Sequence, residues 1–204
     1  MEVLWMVRAG EGGRVADDFR QQQVVALNCE GEHLTNAVGR EQLRPIVERA
    51  YADRKRGFLP VALGSWHMFR SVMKIGDNVM TYDPARRMYH LGKITGDYEF
   101  RPGLVSGHEQ IRRVEWQGEI SRDELSKSAR NTLGSTLAIF EPGNGVLQEL
   151  RQKLKGATTA TPKDLVSPPS PIAPSSEAEQ IRRDVIGRSH EFRLRSWTGR
   201  KCRS

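Results

Sequence analysis

Cysteine is scarce in this sequence, and its scarcity excludes two ways of stabilising a small fold. Cys29 and Cys202 are the two cysteines among 204 residues. Two cysteines so far apart form neither a disulfide framework nor a tetrahedral zinc site. The five histidines are scattered, and His-Glu-x-x-His and Gly-x-Ser-x-Gly motifs do not occur. We therefore expect no metal, no cofactor and no catalytic centre.

Long apolar runs are also missing. No apolar run approaches the roughly 18 residues that a membrane-spanning helix needs. Met1 is followed by the strand-like segment EVLWMV and then by charge, which is not the pattern of a secretory signal. We expect a cytoplasmic protein with no membrane partner.

The charge is unbalanced toward the basic side. The formal net charge is +7 and the pI is near 9.7, which favours a polyanionic partner. Residues 156–204 hold nine basic and five acidic residues, so the end of the chain supplies much of the excess. Hydrophobic residues make up 37% of the chain, which suffices for one packed core but is low for a chain that is globular throughout.

The composition divides the chain into three parts. Residues 1–155 have the patterning of a folded domain. Residues 156–177 are rich in Ala, Thr, Ser and Pro, with five prolines from Pro162 to Pro174, and we interpret them as a linker. Residues 178–204 end in RLRSWTGRKCRS, where five positive charges without an apolar face predict a disordered basic tail.

Hydrophobic periodicity predicts an α+β domain. Six strands are expected, in EVLWMV, VVALNC, DNVMTYD, YHLGKITGDYEF, IRRVEWQGEI and STLAIF. Helices are expected in RVADDFRQQQ, REQLRPIVERAYAD, LPVALGSWHMFRSVMKI and GVLQELRQKLK, the third of them ending at Gly76. Ser121, with Glu124 three residues later, predicts a capped helical turn. The third and fourth strands, joined by the PARR turn, predict a β-hairpin.

Several tracts in this order resemble a known family. The opening strand with Trp5 runs into the glycine-rich loop VRAGEGG, and an aromatic-bearing helix ends in the Gly-Asp turn of MKIGDNVMTYDP. A G-x-I strand and SRDELSKSARNTLGSTLAIF follow. Together, from about Met1 to Leu154, they resemble EVE domains, and more closely the EVE-like N-terminal region of Mrr-type restriction-system proteins.

This resemblance implies a PUA-like mixed β-barrel of about five or six strands, flanked by helices, whose pocket accepts a modified base lifted out of nucleic acid. It implies a specificity module of a restriction or phage-defence system. Relatives are implied to carry a nuclease domain after the linker, and EAEQIRRDVIGRSHEF resembles its start, whereas RLRSWTGRKCRS does not resemble its continuation. We therefore predict a reader that is not itself an enzyme, a possible remnant of a truncated nuclease domain in the tail, and a separate nuclease subunit as a possible partner.

Aromatic and polar side chains are the residue types that hold an everted base, because aromatic faces replace lost stacking at roughly 1 to 3 kcal/mol per base. We predict a base pocket formed by Trp5, Ser65, Trp66, Tyr82, Asn131, Leu133 and Ser135. We predict contacts with the nucleic-acid backbone from Arg8, Gly12, Gly13, Arg14, Arg86, Arg87 and Arg130. Trp66 is favoured most.

Simpler interpretations of these residues stay open. Trp5 suits the core as well as a pocket wall, residues 129–137 suit a capped turn, and arginines of this kind commonly lie on a solvated surface. The GEGG loop lacks the Lys-Ser/Thr of a P-loop, which argues against nucleotide hydrolysis. Modified DNA is the favoured partner; an RNA-binding module and a protein-interaction domain with a vestigial pocket are the alternatives.

Overall fold

The computed structural model describes residues 2–55 and 57–159, with side chains up to residue 155. All of these residues belong to the first of two compact units, Met1–Thr161. The last helix runs to Thr159, past the predicted domain boundary at residue 155. The rest of the predicted linker and the predicted basic tail lie outside the described residues. No helix in the described part of the chain combines the length and the apolar character needed to cross a membrane.

Six strands form one mixed sheet, which confirms the predicted α+β class. The strands are β1 (Leu4–Val7), β2 (Val24–Leu27), β3 (Asn78–Asp83), β4 (Met88–Phe100), β5 (Gln110–Ser121) and β6 (Ile139–Phe140). Their spatial order is β2-β5-β4-β3-β1-β6. β1 pairs in parallel with β3, and the other neighbours are antiparallel, including the predicted β3–β4 hairpin. β2 and β6 are the edges and do not pair with each other, so the sheet is open.

Five helices cover the two faces of the sheet. They are α1 (Ala16–Gln21), α2 (Arg40–Ala50), α3 (Phe58–His67), α4 (Lys127–Leu133) and α5 (Asn144–Thr159). In β1, Trp5 and Val7 join the core under α1, α2 and α3, whereas Leu4 and Met6 join the core under α4 and α5. Alternate side chains of a strand point to opposite faces, so a strand buried on both sides carries apolar residues at every position.

The predicted third helix ends earlier than expected and changes character. Its α-helical part stops at His67, and a five-residue π-helical turn, Met68–Val72, follows. The Met73 N–H donates to the Met68 carbonyl over 2.9 Å, a bond that spans five residues. The helix was expected to reach Gly76, but residues 73–77 form the extended and turning segment that leads into β3.

One helix was missed in the sequence. Residues 129–137 were expected to form a capped turn or the rim of the pocket, but residues 127–133 form α4, whose first turn is capped by Ser126 Oγ accepting from the Ala129 N–H over 3.1 Å. The predicted helical turn at Ser121 is present just before it, with Ser121 Oγ accepting from the Asp123 N–H. The polar sequence SKSARNT has few apolar residues, so its helical character depends on Ala129 and Leu133, which pack into the second core.

Candidate functional site

Two adjoining concavities form a groove at the carboxyl ends of β1 and β2. The first, here called the polar chamber, has a volume of about 650 Å³ and lies between the glycine-rich loop after β1 and residues 134–138. The second, here called the aromatic pocket, has a volume of about 410 Å³ and lies against α3. Both are lined by Leu27, Asn28, Thr136 and Ala138. Because they share these residues, the two concavities lie next to each other.

Three aromatic side chains line or border the aromatic pocket. Tyr51 follows α2, and Phe58 and Trp66 lie on α3. The Tyr51 ring meets the Phe58 ring edge-on at 4.8 Å between centroids and the Trp66 ring at 5.7 Å. Trp66 and Tyr51 are buried, but Phe58 is 40% exposed at the rim. The pocket therefore offers a fixed aromatic floor and an accessible aromatic edge.

The rim of this pocket is apolar. Val61 on α3 and Leu137 in the segment before β6 are 46% and 40% exposed and line it together with Phe58. Single exposed apolar side chains are common on protein surfaces, whereas a cluster around a concavity is typical of a binding site. Ser65 is the buried polar residue on the same face of α3.

Tyr51 keeps its proton over the whole physiological range. Burial raises the pKa of its phenol to about 12, and the nearby charge of Glu30 acts in the same direction. The pocket wall at this position is therefore a neutral aromatic hydroxyl, which can donate or accept a hydrogen bond.

Arg8 holds the wall between the two concavities. Its Nη2 donates to the carbonyls of Leu133, over 2.9 Å, and Ser135. Its backbone N–H donates to the Ala138 carbonyl over 2.9 Å. Its Nε is buried and has no hydrogen-bond partner among the described residues. The guanidinium is thus anchored to the carbonyls of this wall, and Arg8 lines the polar chamber while its unpaired Nε stays buried.

The opposite wall of the polar chamber is built on the glycine-rich loop. Gly10, Gly12 and Gly13 all have positive φ, between 61° and 75°, a region that favours glycine. Gly10 lets the chain pass close to Arg14 and His108: a Cβ at Gly10 would lie 3.3 Å from atoms of both side chains. Neither Arg8 nor Arg14 forms an ion pair within the described part of the chain. Glu11 is the acidic residue of this chamber.

His108 and Asn28 are two further polar residues of the polar chamber. The His108 Nδ1 lies 2.9 Å from the Ser106 carbonyl, which makes Nδ1 the protonated nitrogen and leaves Nε2 as an acceptor in the neutral ring. Asn28 Oδ1 accepts a hydrogen bond from the Glu30 N–H over 2.7 Å, and this bond orients the side-chain amide. The bond does not involve the Asn28 Nδ2 donor. Asn28 lies where both concavities meet.

The structure brings six of the predicted residues to the groove and places the others elsewhere. Ser65 and Trp66 line the aromatic pocket, and Arg8, Gly12, Arg14 and Ser135 line the polar chamber. Trp5 is buried in the first core, with Nε1 donating to Asp77 Oδ2 over 2.9 Å. Tyr82 packs against the second core and stacks near Tyr89, at 4.6 Å between centroids.

The remaining predicted residues have local roles. Leu133 is buried in the second core and contributes its carbonyl to Arg8, Asn131 is exposed on α4, and Arg130 is partly buried there. Arg86 and Arg87 form ion pairs with Glu119 and Asp123 on the β3–β4 hairpin side. A Cβ at Gly13 would overlap the ring of Pro84, so this glycine serves close packing.

Sequence reasoning missed several groove residues. Tyr51, Phe58, Asn28 and His108 are separated by long stretches of sequence and share no motif. One signal was available: Phe58, Val61 and Ser65 are spaced three and four residues apart, which places them on one face of a helix.

The groove lies in the part of the chain that matches a known family profile. The profile of the family described as "Domain of unknown function (DUF8426)" matches residues 5–139, and the chain therefore belongs to this family. The matched region begins in β1 and ends in β6, so it includes every residue that lines the groove. No curated protein and no solved structure matches the chain. Among the described residues, no group of three His, Cys, Asp or Glu side chains could hold a metal ion.

Proposed function

We propose that this domain is a PUA-like, EVE-related reader of nucleic acid, which receives one everted, modified base in the aromatic pocket and binds neighbouring phosphates in the polar chamber. The observation that carries the proposal is the adjacency of the two concavities through four shared residues. A nucleotide has the same two-part character, with an apolar base face beside an anionic phosphate.

The aromatic pocket suits the base. An everted base loses stacking on both faces, and aromatic side chains restore roughly 1 to 3 kcal/mol per base. Tyr51 and Trp66 provide a buried aromatic surface, and Phe58 provides an exposed aromatic edge at the rim. The Tyr51 hydroxyl, Ser65 and Asn28 provide hydrogen-bonding groups for the base edge. An added methyl or hydroxymethyl group on the base contributes contact with the apolar rim.

The polar chamber suits the phosphates. Arg8 and Arg14 carry positive charges that no described carboxylate neutralises by ion pairing. Both arginines line the chamber, so their charges would attract a phosphate bound there. Glycines at positions 10 and 12 allow a ligand to approach the backbone closely.

The wider role follows from the same proposal. A domain that recognises a modified base in DNA and acts by binding rather than by catalysis fits the specificity module of a restriction or phage-defence system, with cleavage by a separate nuclease subunit. The PUA-like barrel is part of the proposal. The described sheet is open, and the two register shifts between β4 and β5 are the irregularities by which a sheet curves toward a barrel.

The test measures binding of the full chain to labelled short DNA duplexes by fluorescence anisotropy. The duplexes are unmodified or carry 5-methylcytosine, 5-hydroxymethylcytosine or N6-methyladenine, and an RNA duplex of the same sequence is included. We expect tighter binding to one modified DNA duplex, with affinity falling as salt rises from about 50 to about 200 mM because released counterions compete. Tighter binding to the RNA duplex would assign the groove to RNA instead.

Matched variants locate the binding site. Phe58→Ala should weaken binding by about 5- to 150-fold, the equivalent of roughly 1 to 3 kcal/mol of lost stacking. The duplex affinity of Val61→Ala, at the rim, is compared with that of Val72→Ala. The second variant is an equally conservative change at a site that is 38% exposed and outside the groove. Trp66 is a poor first choice, because it is 1% exposed and its truncation would cost about 3–5 kcal/mol of folding stability. Equal binding to all duplexes, unchanged by Phe58→Ala, would refute the proposal.

A further inference from the structure

Another concavity, separate from the two that form the groove, lies beside the π-helical turn that follows α3. It has a volume of about 610 Å³ and shares no lining residue with the groove. Arg70 and Lys74 come from the π-helical turn and the residues after it, and Arg112 comes from β5. Asp97 is the acidic residue that faces these three basic side chains. We refer to this concavity as the cationic cleft.

Arg112 is a buried charge at the base of the cleft. The residue is 2% exposed, and its Nε and Nη2 donate to the carbonyls of Phe69 and Arg70 over 2.8 and 3.2 Å. These carbonyls belong to the π-helical turn, so Arg112 caps the end of that segment. Its Nη1 makes one long contact of 3.4 Å with the Gly96 carbonyl. Burial lowers the pKa of Arg112, and the Asp97 carboxylate opposes this shift.

The other two cations are also without carboxylate partners. Arg70 donates to the carbonyls of Leu34 and Thr35 over 3.0 and 2.8 Å, and its guanidinium lies 4.5 Å from the centroid of the Tyr98 ring. Lys74 is exposed. Within the described residues, none of these three cations forms an ion pair. The cleft therefore carries an excess of positive charge, and hydrogen bonds to backbone carbonyls hold its two arginines in place.

Apolar side chains surround this charge. Val38 and Ile75 line the cleft at 54% and 56% exposure, and Val72, beside them in the π-helical turn, is 38% exposed. They account for half of the six large apolar side chains that are exposed in the described part of the chain. The Ser71 hydroxyl donates to the Val38 carbonyl and so links this part of the rim to the π-helical turn.

We infer that the cationic cleft docks an acidic segment of a partner protein, with an Asp or Glu seated beside Arg70 and Lys74, over the buried charge of Arg112, and an adjacent apolar side chain against Val38 and Ile75. Charge complementarity carries the acidic part of this assignment. Protein interfaces combine arginine and aromatic residues with apolar contacts, whereas a phosphate backbone offers nothing to an apolar rim. The inference is independent of the function proposed for the groove.

The experiment selects binders from a random peptide display library on the immobilised full chain, in parallel with the Lys74→Glu and Ile75→Ser variants. These positions are exposed, so the substitutions leave the core intact. Lys127→Glu, at an exposed position outside both the cleft and the groove, is the matched control. We expect the wild type and this control to enrich peptides in which an acid adjoins an apolar residue.

A selected peptide is then resynthesised in its acidic form and with Asn and Gln replacing the acids. We expect Lys74→Glu to weaken the acidic peptide by at least about tenfold, because attraction becomes like-charge repulsion, and the neutral peptide to bind weakly to both proteins. Failure to enrich acidic peptides, or enrichment that Lys74→Glu leaves unchanged, would overturn the inference. Loss of duplex binding in Lys74→Glu without loss of peptide binding would assign the cleft to nucleic acid and overturn it equally.

Discussion

Comparing Arg8→Met with Arg8→Lys separates the structural contribution of one guanidinium from its charge. Methionine retains an apolar stem but removes the donors to the Leu133 and Ser135 carbonyls, which hold the wall between the two concavities. Hydrogen bonds from a charged donor contribute about 1.5–3 kcal/mol each. Because Arg8 is only half-buried, we expect a total loss of about 2–4 kcal/mol in the free energy of unfolding.

A domain of this size loses roughly 2–4 °C of Tm per kcal/mol, so the expected decrease is about 5–15 °C. Urea unfolding measures the free energy. Hydrogen exchange at the residue 8 amide, which donates to the Ala138 carbonyl, reports whether the wall has loosened. Arg8→Lys keeps the positive charge but loses the guanidinium that donates to both the Leu133 and the Ser135 carbonyls. Compared with Arg8→Met, it should therefore restore the salt dependence of duplex binding but only part of the free energy of unfolding. A change below about 0.5 kcal/mol in Arg8→Met would refute this account of the wall.

Three further predictions test other parts of the domain. Gly12→Ala and Gly13→Ala both place alanine at positive φ, but only the new Cβ at position 13 would overlap the Pro84 ring. In urea unfolding, Gly13→Ala should therefore lower the free energy of unfolding by at least about 1 kcal/mol more than Gly12→Ala. Equal losses would contradict the close packing at Gly13. Trp5→Phe removes a hydrogen bond to the Asp77 carboxylate and should lower the free energy of unfolding by about 1.5–3 kcal/mol beyond the packing loss. Trp116→Phe removes a hydrogen bond to the neutral Phe19 carbonyl, so its corresponding loss should be about 0.5–1.5 kcal/mol. A larger loss in Trp116→Phe would be evidence against the charged partner of Trp5. Tyr51 has a pKa near 10 in the unfolded chain and about 12 in the folded chain, so roughly 3 kcal/mol of stability present below pH 10 should be lost as the pH rises through 12. Tyr51→Phe should flatten this part of the stability profile.

Secondary structure was largely predictable because its signals are local. β1, β2 and the β3–β4 hairpin lie where apolar alternation and turn residues placed them, and Ser121 caps the expected helical turn. α4 was missed because its polar sequence gains a helical face only when Ala129 and Leu133 meet α5 and the second core. The π-helical turn was missed for a similar reason, since its carbonyls are satisfied by Arg112, which lies about forty residues further along the chain.

The site was predictable only in part. Trp66, Ser65, Arg8, Gly12, Arg14 and Ser135 meet in the groove, yet Trp5 and Tyr82, which have the same chemical character, pack into the two cores. Exposure cannot be inferred from residue type when a strand is buried on both faces, because every position then carries an apolar or aromatic side chain.

The sequence by itself determined the class of fold, the positions of most strands and helices, and the basic character that favours a polyanionic partner. Tertiary structure alone decided which aromatic residues face a cavity, which arginines are neutralised by carboxylates, and that an aromatic pocket adjoins a polar chamber. The physical reason is range: hydrogen-bonded turns and apolar periodicity act over a few residues, whereas the groove is assembled from segments brought together by the packing of α3 and residues 134–138 at the ends of β1 and β2.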